Sequence, residues 1–151
     1  DMVRLGVGLY GFDPTELEQD KLNPVAILKS TISQIKHIKK GDTVGYGRKG
    51  VATSDMHIAT IPIGYADGYL RAFSNGNGSM LVRNQLAPVF GNVCMDMTMV
   101  DVTSIKCEIG DEVIVFGQKP TIKDLADQID TIPYEIMTNI GQRVKRVFQS
   151  E

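Results

Sequence analysis

Short apolar runs separated by glycine-rich turns make up most of the chain after residue 25. Runs of this kind, rich in Val, Ile and Thr and closely spaced, are typical of the strands of a β-barrel or β-sandwich. The pattern therefore predicts a mainly β fold of about seven strands. The candidate strands are Ala26–Ile38, Thr43–Tyr46, Met56–Ile63, Ser79–Val82, Ala87–Phe90, Val93–Val102 and Glu112–Phe116.

The pattern becomes helical only near the end of the chain. Thr121 can cap a helix over Ile122–Ile129, where apolar residues recur at i, i+3, i+4 and i+7. Tyr134–Ile140 predicts a second short helix, and Arg143–Phe148 a closing strand. The polar stretch at 13–23 is typical of a linker or a short helix.

Composition narrows the class of protein. At 151 residues, with 42% hydrophobic and 23% charged residues, the chain suits one globular domain. The net charge is -2, and basic and acidic residues are interspersed, so the sequence lacks the basic patch that is typical of nucleic-acid binding. No apolar run reaches the roughly 18 residues of a membrane span. Cys94 and Cys107 lack the spacing of a disulfide framework, which favours reduced thiols in a cytoplasmic protein.

The first residues suggest a piece of a longer protein. The chain starts at Asp1, and a core-like run, Val3-Arg4-Leu5-Gly6, follows at once. The next residues match G-x-G-x-x-G, from Gly6 to Gly11, but too few residues precede them for a dinucleotide-binding βαβ unit. The glycines leave two readings open: backbone N–H groups that bind a phosphate, or a plain turn.

Other motifs give weaker signals. Ser33-Gln34-Ile35-Lys36 matches S-x-x-K without its usual partner motifs, so chance explains it. His37 and His57 have no carboxylate or thiol at ligand spacing, and no metal is expected. Asp96 and Asp101 flank a methionine-rich run, where they fit the solvent face of a strand or a cleft equally well.

Tyr65 lies in a turn marked by Gly64 and Asp67-Gly68, directly after an apolar run. Such a turn fixes the backbone while its side chain can point into a cleft. A free tyrosine has a pKa near 10, so a tyrosine base needs nearby cations or hydrogen-bond donors. The local pattern alone allows either a proton-transfer group or an ordinary core tyrosine.

Several strings together resemble the carboxyl-terminal part of the alanine racemase family, pyridoxal-phosphate enzymes that interconvert L- and D-alanine. The strings are V-R-L-G-V-G-L-Y-G at 3–11, T-I-P-I-G-Y-A-D-G-Y-L-R at 60–71 and G-N-V-C-M-D-M at 91–97. Further matches are Gly45-Tyr46-Gly47, Gly110-Asp111-Glu112-Val113 and Ile132-Pro133-Tyr134-Glu135-Ile136. The resemblance extends over essentially the whole chain.

The resemblance implies a division of the chain into two parts. Residues 1–22 would be the last strand and loop of an N-terminal α/β barrel, and 23–151 a Greek-key-like β-barrel domain with one or two short helices near its end. The lysine that holds pyridoxal 5'-phosphate would lie in the missing part of the α/β barrel, since no lysine here matches its motif. The full-length enzyme would be a homodimer, and the fragment alone inactive.

The resemblance also implies roles for particular residues. Arg4 would hydrogen-bond the pyridine nitrogen of the cofactor, and Gly6 and Val7 would offer backbone donors to its phosphate. Tyr65 would be the base that serves L-alanine in the partner subunit's site. The backbone N–H of Met95 would help to hold the substrate carboxylate.

The sequence departs from the family pattern at residues that would line the entrance channel to the active site. Asp96 and Gln142 would lie in this channel, and Gln142 stands where many members have a tyrosine. Asn92 stands where an arginine is common. These two departures bear on the channel's shape and on substrate selectivity.

Alternatives remain open at this point. They are a noncatalytic β-barrel interaction module derived from a racemase, a racemase of another small amino acid, and a decarboxylase. Arg4 disfavours the decarboxylase, because an arginine keeps the pyridine nitrogen unprotonated and so weakens the electron sink that decarboxylation needs.

Overall fold

The computed structural model describes residues 1–3, 6–13, 15 and 17–149. Within these residues the fold is mainly β, with antiparallel sheets and two short α-helices, which confirms the predicted fold class. The strands are β1 Leu28–Thr31, β2 Gln34–Ile38, β3 Thr43–Val44, β4 Gly50–Val51, β5 Met56–Ile61, β6 Ser79–Val82, β7 Gln85–Pro88, β8 Thr98–Asp101 and β9 Glu112–Phe116. The helices are α1 Ile122–Gln128 and α2 Pro133–Thr138.

Two sheets enclose one main core. The four-stranded sheet has the order β1-β9-β6-β7, and the three-stranded sheet has the order β2-β5-β8. An isolated bridge between Val89 and Val100 joins the sheets beyond β7, and a two-residue link joins β1 to β2. Buried side chains from both sheets and both helices, among them Ile61, Val113 and Leu125, share this core.

The helix predicted after Thr121 forms as expected. The Thr121 side chain accepts a hydrogen bond from the Asp124 N–H, and the Asp124 side chain accepts one from the Thr121 N–H, a complete capping box. α2 begins at Pro133, a residue pre-organised for the first helical position, and ends two residues earlier than predicted.

Three strand predictions need correction. Ala26–Ile38 is two strands that join different sheets, β1 and β2. Val93–Val102 contains only β8, because residues 93–97 form a loop. Arg143–Phe148 is not a strand: the Val144 N–H turns back to the Gly141 carbonyl at 3.2 Å.

An ion pair ties the β6–β7 hairpin turn to the loop before β9. Arg83 donates hydrogen bonds to Asp111 at 2.8 and 2.6 Å and holds the pKa of that carboxyl below its ordinary value of 3.8. A group with a depressed folded-state pKa contributes stability above its unfolded-state pKa and loses it as pH falls.

Asp111→Asn is therefore expected to lower the Tm near neutral pH, with the loss shrinking below about pH 4 as the wild-type carboxyl also becomes neutral. Circular dichroism melts between pH 2 and pH 7 measure this difference. Arg83→Gln should show the same pH dependence, and a pH-independent loss would contradict the explanation.

Candidate functional site

The strand pairing brings two loops to one edge of the three-stranded sheet. β5 and β8 are antiparallel, and Ile61 at the end of β5 pairs with Thr98 at the start of β8. The turn that follows β5 and the loop that precedes β8 therefore lie side by side. The buried Thr98 hydroxyl fastens them by donating to the Ile63 carbonyl at 2.7 Å.

Main-chain hydrogen bonds join the Tyr65 turn to the loop at 94–97. The Tyr65 N–H donates to the Cys94 carbonyl at 3.1 Å, and the Ala66 N–H donates to the Met95 carbonyl at 3.0 Å. Gly64 makes this approach possible, because a Cβ there would stand 2.3 Å from the Cys94 oxygen and 2.4 Å from the Met95 oxygen. The sequence motifs around Tyr65 and Met95 thus form one structural unit.

Met95 offers a backbone donor at this edge that has no acceptor among the described residues. Its side chain is 53% exposed, and its N–H donates no hydrogen bond within the described part of the chain. The loop is held in shape on either side, since the Cys94 N–H donates to the Met97 carbonyl at 2.9 Å. Cys94 itself is a buried free thiol within the core.

Arg143 bridges the two loops through their carboxylates. Its Nε lies 2.8 Å from Asp67 Oδ1, and a terminal guanidinium nitrogen lies 2.7 Å from Asp96 Oδ1. The hydrogen bond to Asp96 and the charge of Asp67 raise the pKa of the Arg143 guanidinium. The other Asp67 oxygen accepts the Gly64 N–H at 2.9 Å, so this carboxylate also closes the Tyr65 turn.

Tyr46 is a second exposed phenol, and its turn is bonded to Asn92, which lies just before the loop at 94–97. It lies in a single helical turn between β3 and β4, and its side chain is 74% exposed against 42% for Tyr65. The buried Asn92 side chain donates to the Tyr46 carbonyl at 2.9 Å and accepts from Asn75 at 3.1 Å. Asn92 therefore supports the backbone of the Tyr46 turn, and its side chain is buried.

Tyr134 links α2 to the glycine-rich segment near the start of the chain. Its hydroxyl accepts the Val7 N–H at 3.0 Å, and a Cβ on Gly6 would lie 2.3 Å from that oxygen. The Val7 N–H is therefore already paired with a hydroxyl oxygen in this structure. The Val7 N–H thus faces a place that an oxygen acceptor can occupy, and Gly6 leaves room there, because a Cβ on Gly6 would clash with that oxygen. Arg4 lies outside the described residues.

Gln142 is exposed and lies one residue before Arg143. The tyrosine hydroxyl that meets Val7 comes from α2. Tyr46, Tyr134 and Arg143 were not singled out as site residues from the sequence. Gly45-Tyr46-Gly47 and the motif around Tyr134 were visible signals for two of them, while nothing local marks Arg143.

The two histidines meet across paired strands. His37 on β2 is directly opposite His57 on β5, with ring centroids 5.1 Å apart. In the described ranges, no three His, Cys, Asp or Glu side chains converge on a point where they could hold a metal ion. The same ranges contain no helix long and apolar enough to cross a bilayer.

The fold and the site define a mainly β domain whose one edge gathers the Tyr65 turn, an arginine-bridged carboxylate pair and the Met95 N–H, which has no acceptor among the described residues. The comparisons with known proteins identify its relatives. Residues 25–148 match the family described as "Alanine racemase, C-terminal domain". An alanine racemase of Vesicomyosocius okutanii is 45% identical over 145 residues, which are 95% of this chain and 41% of that protein.

Solved structures agree with the sequence match. The alanine racemase of Streptomyces lavendulae superposes over 100% of this chain and 41% of its own, with a TM-score of 0.92 at 38% identity. That of Bartonella henselae, described with covalently bound pyridoxal phosphate, covers 94% of this chain and 40% of its own, with a TM-score of 0.90 at 34% identity.

The chain belongs to the alanine racemase C-terminal domain family. It spans about 41% of the length of the curated relatives that it matches.

Proposed function

We propose that this chain is the C-terminal part of a protein that interconverts L- and D-alanine with pyridoxal 5'-phosphate. The observation that carries the proposal is the family match over 25–148, together with a free backbone donor beside exposed tyrosines at one edge. The missing α/β barrel would supply the cofactor lysine. A homodimer would bring this edge to the partner's cofactor site.

The cofactor would be held in part by this chain. Pyridoxal phosphate, when bound, withdraws electrons from the substrate so that its α-proton can be removed. Gly6 and Val7 would give their N–H groups to the phosphate, which would replace the Tyr134 hydroxyl as the acceptor of the Val7 N–H, now 3.0 Å away. Arg4 keeps the role that the family resemblance implies, toward the pyridine nitrogen.

The substrate carboxylate would accept the Met95 N–H. A main-chain N–H is a fixed donor that needs no side-chain ordering, and a carboxylate is a strong acceptor for it. The loop that carries this donor is fixed by backbone bonds on both sides. A small amino acid with one carboxylate suits a site of this kind.

A tyrosine of this edge would move the proton on one face of the α-carbon. The family resemblance implies that Tyr65 is this proton-transfer group, whereas the greater exposure of Tyr46 favours Tyr46. A base that must reach a partner's site has to project from its own domain, and Tyr46 is the more exposed of the two. Glycines with positive φ on both sides, Gly45 at 77° and Gly47 at 70°, set the direction of the Tyr46 turn.

The alternatives differ in what they predict for this edge. A noncatalytic interaction module would use the exposed tyrosines and methionines for contact alone. The presence of Tyr65 and Met95 within the matched family domain disfavours that function, because contact alone does not require these residues in these motifs. A racemase of another small amino acid would keep all the groups described and differ only in its substrate.

Racemisation by the full-length protein tests the proposal. We expect it to interconvert the alanine enantiomers in the presence of pyridoxal phosphate. Circular dichroism of the amino acid measures the change in the ratio of the two enantiomers. The 151-residue chain by itself is expected to be inactive and to show no lysine-bound cofactor absorbance. Full-length protein with its cofactor lysine replaced is the matched control.

Two results would contradict the proposal. One is a full-length protein that binds the cofactor but leaves both alanine enantiomers unchanged. The other is covalently bound cofactor in the 151-residue chain alone. Faster turnover of serine than of alanine would favour the alternative substrate.

A further inference from the structure

We propose that Arg143 is a positioning residue that neutralises Asp96 beside the Met95 N–H, so that this donor can bind an anionic carboxylate. The inference rests on the proposed function, because it takes alanine's carboxylate as the ligand. It assigns Arg143 a role in substrate affinity and not in proton transfer.

The contacts of Arg143 place its charge between two acidic groups. One nitrogen lies 2.7 Å from Asp96 Oδ1 and another lies 2.8 Å from Asp67 Oδ1. The Asp67 side chain is largely buried at 11% exposure, whereas that of Asp96 is half exposed at 50%. Asp96 is therefore the carboxylate that an incoming anion would meet.

Asp96 directly follows Met95, whose N–H has no acceptor in the part of the chain that the structure describes. Consecutive Cα atoms are about 3.8 Å apart, so the carboxylate of Asp96 lies only a side chain further from the donor, a distance on the order of the roughly 8 Å screening length at physiological salt. An uncompensated Asp96 would repel a carboxylate at the Met95 donor. When Arg143 is paired with Asp96, the two charges largely cancel. The Met95 N–H then lies beside an approximately neutral ion pair.

The fold does not depend on this bridge for its main connections. Two backbone hydrogen bonds join the Tyr65 turn to the loop at 94–97, and the Thr98 hydroxyl adds a third link. The Gly141 N–H also binds the Asp67 carbonyl at 3.1 Å without any help from the guanidinium. Removal of the Arg143 charge should therefore change electrostatics more than structure.

A double-variant comparison in the full-length protein tests the role. Propionate is the probe, since it has alanine's carboxylate but no amino group, and calorimetry gives its Kd. Arg143→Gln is expected to weaken propionate binding about tenfold, the scale of repulsion by one uncompensated like charge in a partly screened site. Adding Asp96→Asn should restore most of the affinity, because the repelling charge is gone. Arg146→Gln, which removes an arginine bonded to main-chain carbonyls, is the matched control.

The outcomes separate electrostatics from structure. Three results overturn the inference. They are an unchanged propionate affinity in Arg143→Gln, a double variant that binds propionate as weakly as the single variant, and a wild-type protein that binds no propionate. If Arg143→Gln does not fold, Asp96→Asn alone decides: tighter binding supports the role, and unchanged or weaker binding refutes it.

Alanine racemisation is measured on the same preparations. The predicted propionate pattern without racemisation would refute the proposed function and leave the carboxylate site standing. Racemisation together with a propionate affinity that Arg143→Gln does not change would refute the role of Arg143 and leave the proposed function standing. In an active protein, Arg143→Gln should raise the KM for both enantiomers and leave kcat nearly unchanged.

Discussion

Tyr46→Phe in the full-length protein is expected to lower kcat for racemisation by about 10²- to 10⁴-fold, the usual contribution of a positioned acid–base group. The phenylalanine keeps the ring and loses only the proton-carrying oxygen. Because one face of the α-carbon would keep its own base, exchange of the α-proton with solvent should persist for one enantiomer. Proton exchange from each enantiomer, followed by NMR in deuterated water, measures this asymmetry.

Tyr65→Phe is the paired variant. Its expected effect is smaller, because the Tyr65 backbone holds the loop at 94–97 through a bond that phenylalanine retains. Cofactor absorbance should be the same in both variants. If Tyr65→Phe instead shows the large one-sided loss while Tyr46→Phe stays active, the catalytic role belongs to Tyr65.

Gly64→Ala is expected to destabilise the domain by about 3 kcal/mol, the upper part of the range for overpacking, and to lower Tm by roughly 10 °C. The new Cβ would lie 2.3 Å from the Cys94 oxygen and 2.4 Å from the Met95 oxygen. Both are backbone atoms of a loop that is bonded to this turn, so neither can move without breaking those bonds. Thermal melts and amide hydrogen exchange at Tyr65 and Ala66 measure the effect.

Gly8→Ala is the matched control for that variant. A Cβ at Gly8 meets no heavy atom within 4 Å, and its backbone lies outside the positive-φ region. Its Tm should stay close to that of the wild type. Equal losses in the two variants would mean that loss of glycine flexibility, and not the contact with the loop, sets the stability.

Local patterns predicted the parts of the fold that depend on local interactions. The capping box of Thr121 and Asp124 needs only neighbouring residues, and the apolar period of α1 follows from its burial. The alternation of polar and apolar residues predicted a strand at 93–97 wrongly, because hydrogen bonds from the distant Tyr65 turn fix the backbone there. Val93 and Cys94 are both buried and Met95, Asp96 and Met97 all exposed, which no strand period describes.

The candidate site divides in the same way. Tyr65, Met95 and Asp96 lie in strings that were visible in the sequence, and the structure brings their loops together. Tyr134 reaches Val7 across 127 residues, and Arg143 meets Asp67 and Asp96 from a segment predicted to be a strand. Contacts of this kind follow from how the elements pack, so periodicity and spacing cannot predict them.

The free N–H at Met95 belongs to a peptide bond, and this limits what side-chain mutagenesis can detect. Any residue except proline supplies the same donor at this position. A substitution such as Met95→Ala would change the packing around the donor and leave the donor itself in place. A mutational scan would then record tolerance at a group that, in the proposed function, binds the substrate carboxylate, while replacement of the amide by an ester would remove it. The proposed role at residue 95 therefore depends on the course of the backbone, which Gly64 and Thr98 fix, and not on the side chain at that position.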